Sequence, residues 1–173
     1  RLARFLASGG NADAVEIIHG DPGPAPEVSI LAPGAALPWS GHMAAHAVPD
    51  ILALIRQAKT TLVFVNTRAQ AEIIFQQLWR SNADRLEIAL HHGSLSAEQR
   101  RKVEAAMAKG ALRAVVATSS LDLGVDWGAV DLVVQVGAPK GVTRLLQRTG
   151  RSNHRFDAPS RAVLVPANRF EYL

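Results

Sequence analysis

The sequence predicts an α/β fold built on a parallel sheet with helices on both faces, and two observations carry that prediction. Short runs rich in β-branched residues recur along the chain, and they are apolar at every position rather than at alternate ones. Strands buried on both faces need that pattern, whereas a half-exposed strand alternates. Between the runs stand longer segments with apolar residues three and four apart, which is the helical period. Strand-helix alternation of this kind implies right-handed βαβ crossovers, with ligands bound where the strands end at their carboxyl side.

Taken in order, Leu2 to Leu6 reads as a helix and Val15 to Ile18 as a strand. Two elements cannot bury a core, so residues 1–20 read as the tail of a preceding domain. Asp21-Pro22-Gly23-Pro24-Ala25-Pro26 continues neither helix nor central strand, which makes 21–26 an interdomain linker and 27–173 a domain of its own. Within that domain Val28 to Leu31 is the first strand, followed by a helix from Ala44 to Gln57 interrupted near Pro49. Leu62-Val63-Phe64-Val65, Ile88-Ala89-Leu90, Ala114-Val115-Val116-Ala117, Leu132-Val133-Val134 and Ala162-Val163-Leu164-Val165 are the remaining strands. Gln70 to Arg80 is a helix with Ile73, Ile74 and Leu78 inward, and Trp79 is expected in a core or an interface. Ser96 to Lys109 is a helix with Val103, Ala106 and Met107 inward; Ser96 and Gln99 have the spacing of a capping box, and Gly110 ends it.

Composition bounds the function. The 173 residues are 48% hydrophobic and 20% charged, enough to bury a core, and the net charge of +4 with a pI near 10.1 suits a polyanionic partner. Cys is absent, which excludes a disulfide framework and cysteine-ligated zinc. No apolar run approaches the roughly 18 residues of a membrane span, and the expectation is a soluble, cytoplasmic protein without a membrane partner.

Polar residues cluster at three strand ends: Asn66, Thr67 and Arg68; His92 and Gly93; Thr118 and Ser119. Small hydroxyl, amide and glycine residues let backbone N–H groups approach phosphates, although each alone is an ordinary turn former or cap. The three together are expected to bind nucleic acid. Near the C-terminus, QRTGRSNHR at 147–155 carries three arginines and no acid, so an anion should face it. His91 and His92 are consecutive and point apart in a strand, so no persuasive set of three metal ligands exists and no metal site is expected. Trp39 and Trp127 are candidates for stacking on bases.

Thr61 to Arg68, Leu90 to Leu95, the run Ala117 to Asp126 reading ATSSLDLGVD, and Gln147-Arg148-Thr149-Gly150-Arg151 resemble, in order, the motifs of the second RecA-like domain of superfamily 2 helicases. QRTGRSNHR and LPWSGHMAAH resemble most the large-helicase-related (Lhr) type, in particular the bacterial ligase-associated DEXH-box form. The resemblance implies an ATP-dependent DNA helicase or translocase that moves 3′ to 5′ and serves DNA repair. Its catalytic residues would be Arg151 as an arginine finger, Gln147 on the γ-phosphate, and Arg148 paired with a phosphate or an interdomain carboxylate. Gly124 and Asp126 match the motif that touches the nucleotide ribose, with Asp126 alternatively a turn cap. Many relatives have a second finger at the place of His154, so Arg155 stands either as its replacement or as a solvated surface charge.

A phosphate-cradling loop would need a Gly-rich run ending in Gly-Lys-Ser/Thr, but Lys59-Thr60 follows Ala58. The resemblance therefore implies that ATP with Mg2+ is held mainly by the first RecA-like domain, and that the domain at 27–173 lacks its own P-loop and is inactive alone. The implied partners are single-stranded DNA or a DNA/RNA hybrid, that first domain, and DNA ligase with other repair proteins. A non-catalytic nucleic-acid-binding module or scaffold is the other reading.

Overall fold

A computed structural model describes residues 15, 16, 18, 23–32, 37–41, 43–122, 130–153 and 158–172. Strands β1 (Glu27–Ile30), β2 (Thr61–Phe64), β3 (Ile88–His91), β4 (Ala114–Ala117), β5 (Leu132–Val136) and β6 (Arg161–Val165) form one sheet in the order β1-β6-β5-β2-β4-β3. Every pairing is parallel, as the unbroken apolar runs predict. The helices are α1 (Val48–Gln57), α2 (Arg68–Arg80), α3 (Ala97–Ala108), α4 (Val142–Thr149) and a short α5 (Arg169–Tyr172).

Two cores lie on opposite faces of the sheet, because successive side chains in a strand alternate sides. Val63, Val65, Val116 and Val134 meet Ile51 and Ile55 of α1 and Ile74 and Leu78 of α2 on one face. Leu62, Phe64, Val115 and Val133 meet Met107 of α3 on the other. The middle strands β2, β4 and β5 are buried at every residue, while β1, at an edge, is exposed at all four. Burial of a whole strand therefore follows its place in the sheet.

The local signals acted as their chemistry requires. Ser96 accepts from Gln99 N while the Gln99 side chain accepts from Ser96 N, each at 3.2 Å, and Gly110 follows α3 with φ 65°. That left-handed conformation strains any residue with a Cβ. Pro49 does not interrupt its helix. It stands in the first turn of α1, where a missing N–H costs nothing, and a 3-10 turn at Ala45–Ala47 precedes it. β5 runs two residues beyond Val134 and takes in the fully buried Gln135. Val15, Glu16 and Ile18 form no strand, and Ile18 is exposed. The helix expected at residues 2–6 lies outside the described residues. Trp79 is 56% exposed rather than in the core, because it follows Leu78 round the helix to the solvent side, where it meets Phe75 at 6.0 Å.

Ile74 is fully buried between α1 and the sheet, so Ile74→Ala should destabilise this chain by about 2–5 kcal/mol. Trp79→Ala should cost about 1 kcal/mol or less. Urea denaturation of the two variants beside the parent checks both.

Candidate functional site

The strand order places the ends of β3, β4 and β2 side by side, so the three polar clusters expected from the sequence share one edge of the sheet. Their side chains are engaged to different degrees. At the end of β2, Asn66 donates to Ala138 O at 2.8 Å, its N–H donates to Gln70 Oε1, and Thr67 Oγ1 accepts from Gln70 N at 3.2 Å as the cap of α2. Those two side chains hold the turn together. Arg68 is exposed and paired with Glu72 at 2.9 Å, one turn along the helix.

At the end of β3 the two histidines face opposite sides of the sheet. His92 is buried with Nε2 3.4 Å from Glu72, and His91 is buried with Nε2 3.1 Å from Glu104 and Nδ1 2.8 Å from Ser120 Oγ. Desolvation by burial holds His91 below its ordinary pKa; the Glu104 pair opposes this, and the neighbouring charges of Arg100 and His92 add to it. Gly93 is exposed, with open space where a Cβ would stand. At the end of β4, Ser119 is exposed and Thr118, half-buried, makes no capping bond through its side chain. Among the described residues no group of three or more His, Cys, Asp or Glu is placed to hold a metal ion.

The arginine run folds in an unexpected way. α4 buries polar residues and exposes apolar ones: Arg148 is 1% exposed, while Val142 and Leu146 stand in solvent at 72% and 51%. The cause is one cluster. Arg148 donates from Nε to Asp122 Oδ1 at 2.8 Å, from Nη2 to Asp122 Oδ2 at 3.4 Å and from Nη1 to Gln135 Oε1 at 2.6 Å. Its guanidinium lies 4.6 Å from the centre of the Phe64 ring, a cation–π contact. Gln135 presents its oxygen to Arg148 because its NH2 group donates to Val136 O and Gly137 O. Within this domain Arg148 is therefore held by a carboxylate and an amide of its own chain. Sequence reasoning assigned no role to Asp122 or Gln135. The signal for Gln135 was a polar residue inside an apolar run, and no local signal pointed from Asp122 to Arg148, since the pairing spans 26 positions.

Gln147 is exposed beside the buried Arg148. Arg151 is half-buried, donates from Nη2 to the Asp122 carbonyl at 2.8 Å, and sits in a turn fastened on both sides. Its N–H donates to Arg148 O, the next residue Ser152 lies with its hydroxyl 2.9 Å from Thr149 O and Arg161 O, and Asn153 N donates to Val130 O. Gly124, Asp126, Trp127, His154 and Arg155 lie outside the described residues.

The model of the helicase conserved C-terminal domain matches residues 44–156. The chain is 44% identical over 116 residues to the ATP-dependent helicase Lhr-Core of Methanocaldococcus jannaschii, covering 67% of this chain and 14% of that protein. It is 38% identical over 149 residues to the Lhr helicase/uracil glycosylase of Escherichia coli, covering 69% and 10%. The structure of the Mycobacterium smegmatis helicase Lhr bound to single-stranded DNA and AMP-PNP superposes with a TM-score of 0.74 at 38% identity, over 85% of this chain and 20% of that one. The S. cerevisiae protein Dbp5, at 16% identity and a TM-score of 0.68, shares the fold. The chain thus spans about a seventh or less of the length of these two Lhr relatives.

Because folded His91 binds a proton less readily than unfolded His91, the unfolded chain takes up more protons below about pH 6.5. Stability should be complete above that pH and should fall as the solution is acidified from it. Melting temperatures from pH 7.5 down to pH 5 should drop less steeply in His91→Gln than in the parent.

Proposed function

This chain belongs to the helicase conserved C-terminal domain family, as the second RecA-like domain of a superfamily 2 helicase of the Lhr type, and on that premise we propose that it supplies the arginine finger and part of the strand-binding edge of an ATP-dependent DNA helicase or translocase. Residues 1–20 then close a first RecA-like domain, 21–26 form the hinge, and 27–173 form the second domain. The first domain holds the ATP phosphates and Mg2+.

The observation that carries the reading is the sorting of three neighbours in QRTGR. Arg148 is held inside the domain, Gln147 is exposed, and Arg151 is offered from an anchored turn. In phosphoryl transfer, negative charge spreads over the γ-phosphate oxygens, and a guanidinium brought there by domain closure stabilises that charge. Arg151 is assigned that role, Gln147 a hydrogen bond to the γ-phosphate, and Gly124 and Asp126 the ribose.

Single-stranded DNA is assigned to the edge formed by the ends of β2, β4 and β3. Arg68, Gly93, Thr118 and Ser119 meet phosphates there, with backbone groups at Asn66, Thr67 and His92 beside them. Support comes from the adjacency of those strand ends and from the net positive charge. Movement 3′ to 5′, service in DNA repair and association with DNA ligase complete the proposal.

In a protein that joins this domain to its first RecA-like domain, Arg151→Ala should lower kcat by about 10³-fold or more while nucleotide affinity holds. Arg151→Lys should restore little, because an ammonium lacks the bidentate fork. Steady-state ATPase beside nucleotide binding tests both, and near-normal kcat in Arg151→Ala defeats the assignment.

This chain alone should turn over no ATP and should bind single-stranded DNA weakly, with affinity falling steeply from about 50 to about 200 mM salt. Fluorescence anisotropy on mixed-sequence oligonucleotides checks it: a salt-independent affinity, or one unmoved by Arg68→Ala, counts against the strand edge.

A further inference from the structure

We propose that Asp122 is a positioning residue for Arg151, fixing where that guanidinium is offered to the nucleotide. The proposal rests on the finger reading of Arg151 and goes beyond it by naming what aims the finger.

Three arginines from one stretch of chain converge on this single residue. Asp122 Oδ1 takes Arg148 Nε at 2.8 Å, Oδ2 lies 3.5 Å from Arg144 Nε and 3.4 Å from Arg148 Nη2, and the carbonyl oxygen accepts from Arg151 Nη2 at 2.8 Å. The carboxylate is 8% exposed, so water does not screen these contacts as it would on the surface. Asp122 closes the 3-10 turn after β4, and its N–H donates to Ser119 O at 3.1 Å. Its main chain is therefore fixed from one side by β4 and from the other by the carboxylate's hold on α4.

Consider what each contact does to Arg151. A long, rotamer-rich side chain loses conformational freedom when it meets a phosphate, and any part of that loss taken in advance favours the reacting geometry. The backbone of Arg151 is set by the end of α4, which Arg148 pins to Asp122. Its guanidinium donates to the Asp122 carbonyl. Asp122 thus bears on both the origin and the direction of the finger. Neutralising Arg148 alone would not need the second arginine on the carboxylate or the third on the carbonyl.

A merely structural Asp122 would balance the buried charge of Arg148 and nothing more. Asp122→Asn leaves that charge uncompensated and lowers the melting temperature on either view. The double variant Asp122→Asn with Arg148→Met removes both charges, and its melting temperature should return toward the parent's. The experiment measures kcat, nucleotide Kd and melting temperature of the protein with both RecA-like domains, for Asp122→Asn, Asp122→Glu, the double variant, Arg151→Ala, and Arg151→Ala combined with the double variant.

In the double variant kcat should stay down by about 10- to 100-fold with nucleotide Kd within about twofold, as expected for a misplaced catalytic group. Asp122→Glu should recover part of that loss. In the Arg151→Ala background the same pair of changes should cost almost nothing further, since the group being aimed is gone. Recovery of parental kcat together with stability in the double variant overturns the proposal. So does a full, additive loss in the Arg151→Ala background. If Arg151→Ala itself keeps kcat, the finger reading fails first and the proposal falls with it, so the two failures are told apart by the single variant.

Discussion

The arrangement of this domain depends on one buried ion pair, Arg148 with Asp122. A guanidinium taken out of water is costly unless its donors are met, and here Nε and Nη2 face one carboxylate while Nη1 faces the amide oxygen of Gln135. The Phe64 ring covers the guanidinium at 4.6 Å. Because these partners come from β2, β5 and the turn after β4, the pair ties α4 to three parts of the sheet. It also inverts the helix, placing Val142 and Leu146 in solvent and leaving Gln147 on the surface.

The sheet supplies the other constraint. Parallel strands must all end on the same side, and crossovers decide which ends become neighbours. The order β2-β4-β3 brings three polar turns together although Asn66, His92 and Thr118 are far apart along the chain. That edge is not uniformly available to a ligand. Asn66 and Thr67 spend their side chains on the β2 turn, and both histidines turn inward to glutamates on opposite faces. Thr67, Arg68, Gly93 and Ser119 are the exposed residues of these clusters, and of them Thr67 already uses its hydroxyl as the cap of α2. What this edge offers to a ligand is mainly backbone and a few exposed groups.

The two loci are also connected. Ser119 lies on the strand edge, and its carbonyl accepts from the N–H of Asp122, whose own carbonyl accepts from Arg151. A single 3-10 turn after β4 therefore lies between the groups assigned to nucleic acid and the group assigned to ATP. Its shortness matters, since a short hydrogen-bonded turn has few ways to absorb a displacement.

The sequence alone determined the α/β class, the six strands of the sheet and helices α1, α2 and α3, because apolar periodicity and end signals are local, but it marked neither α4 nor α5. The Ser96–Gln99 box, the Gly110 stop and the unbroken runs of β2 and β4 act over a few residues and leave little to the rest of the chain. Three polar strand ends on one edge were legible too, since parallel strands that pack these runs all end on the same side. Which partner each charged side chain takes was decided only by the tertiary structure. Neighbours along the chain do not disclose the partners of Arg148, whose carboxylate lies 26 positions upstream and whose amide lies 13. The place of Trp79 was also left to the tertiary structure, because a helical face is set by degrees of rotation and a one-residue shift from Leu78 carries the ring out of this domain's core. Burial of charge is a pairwise property of the folded chain, and no local pattern encodes it.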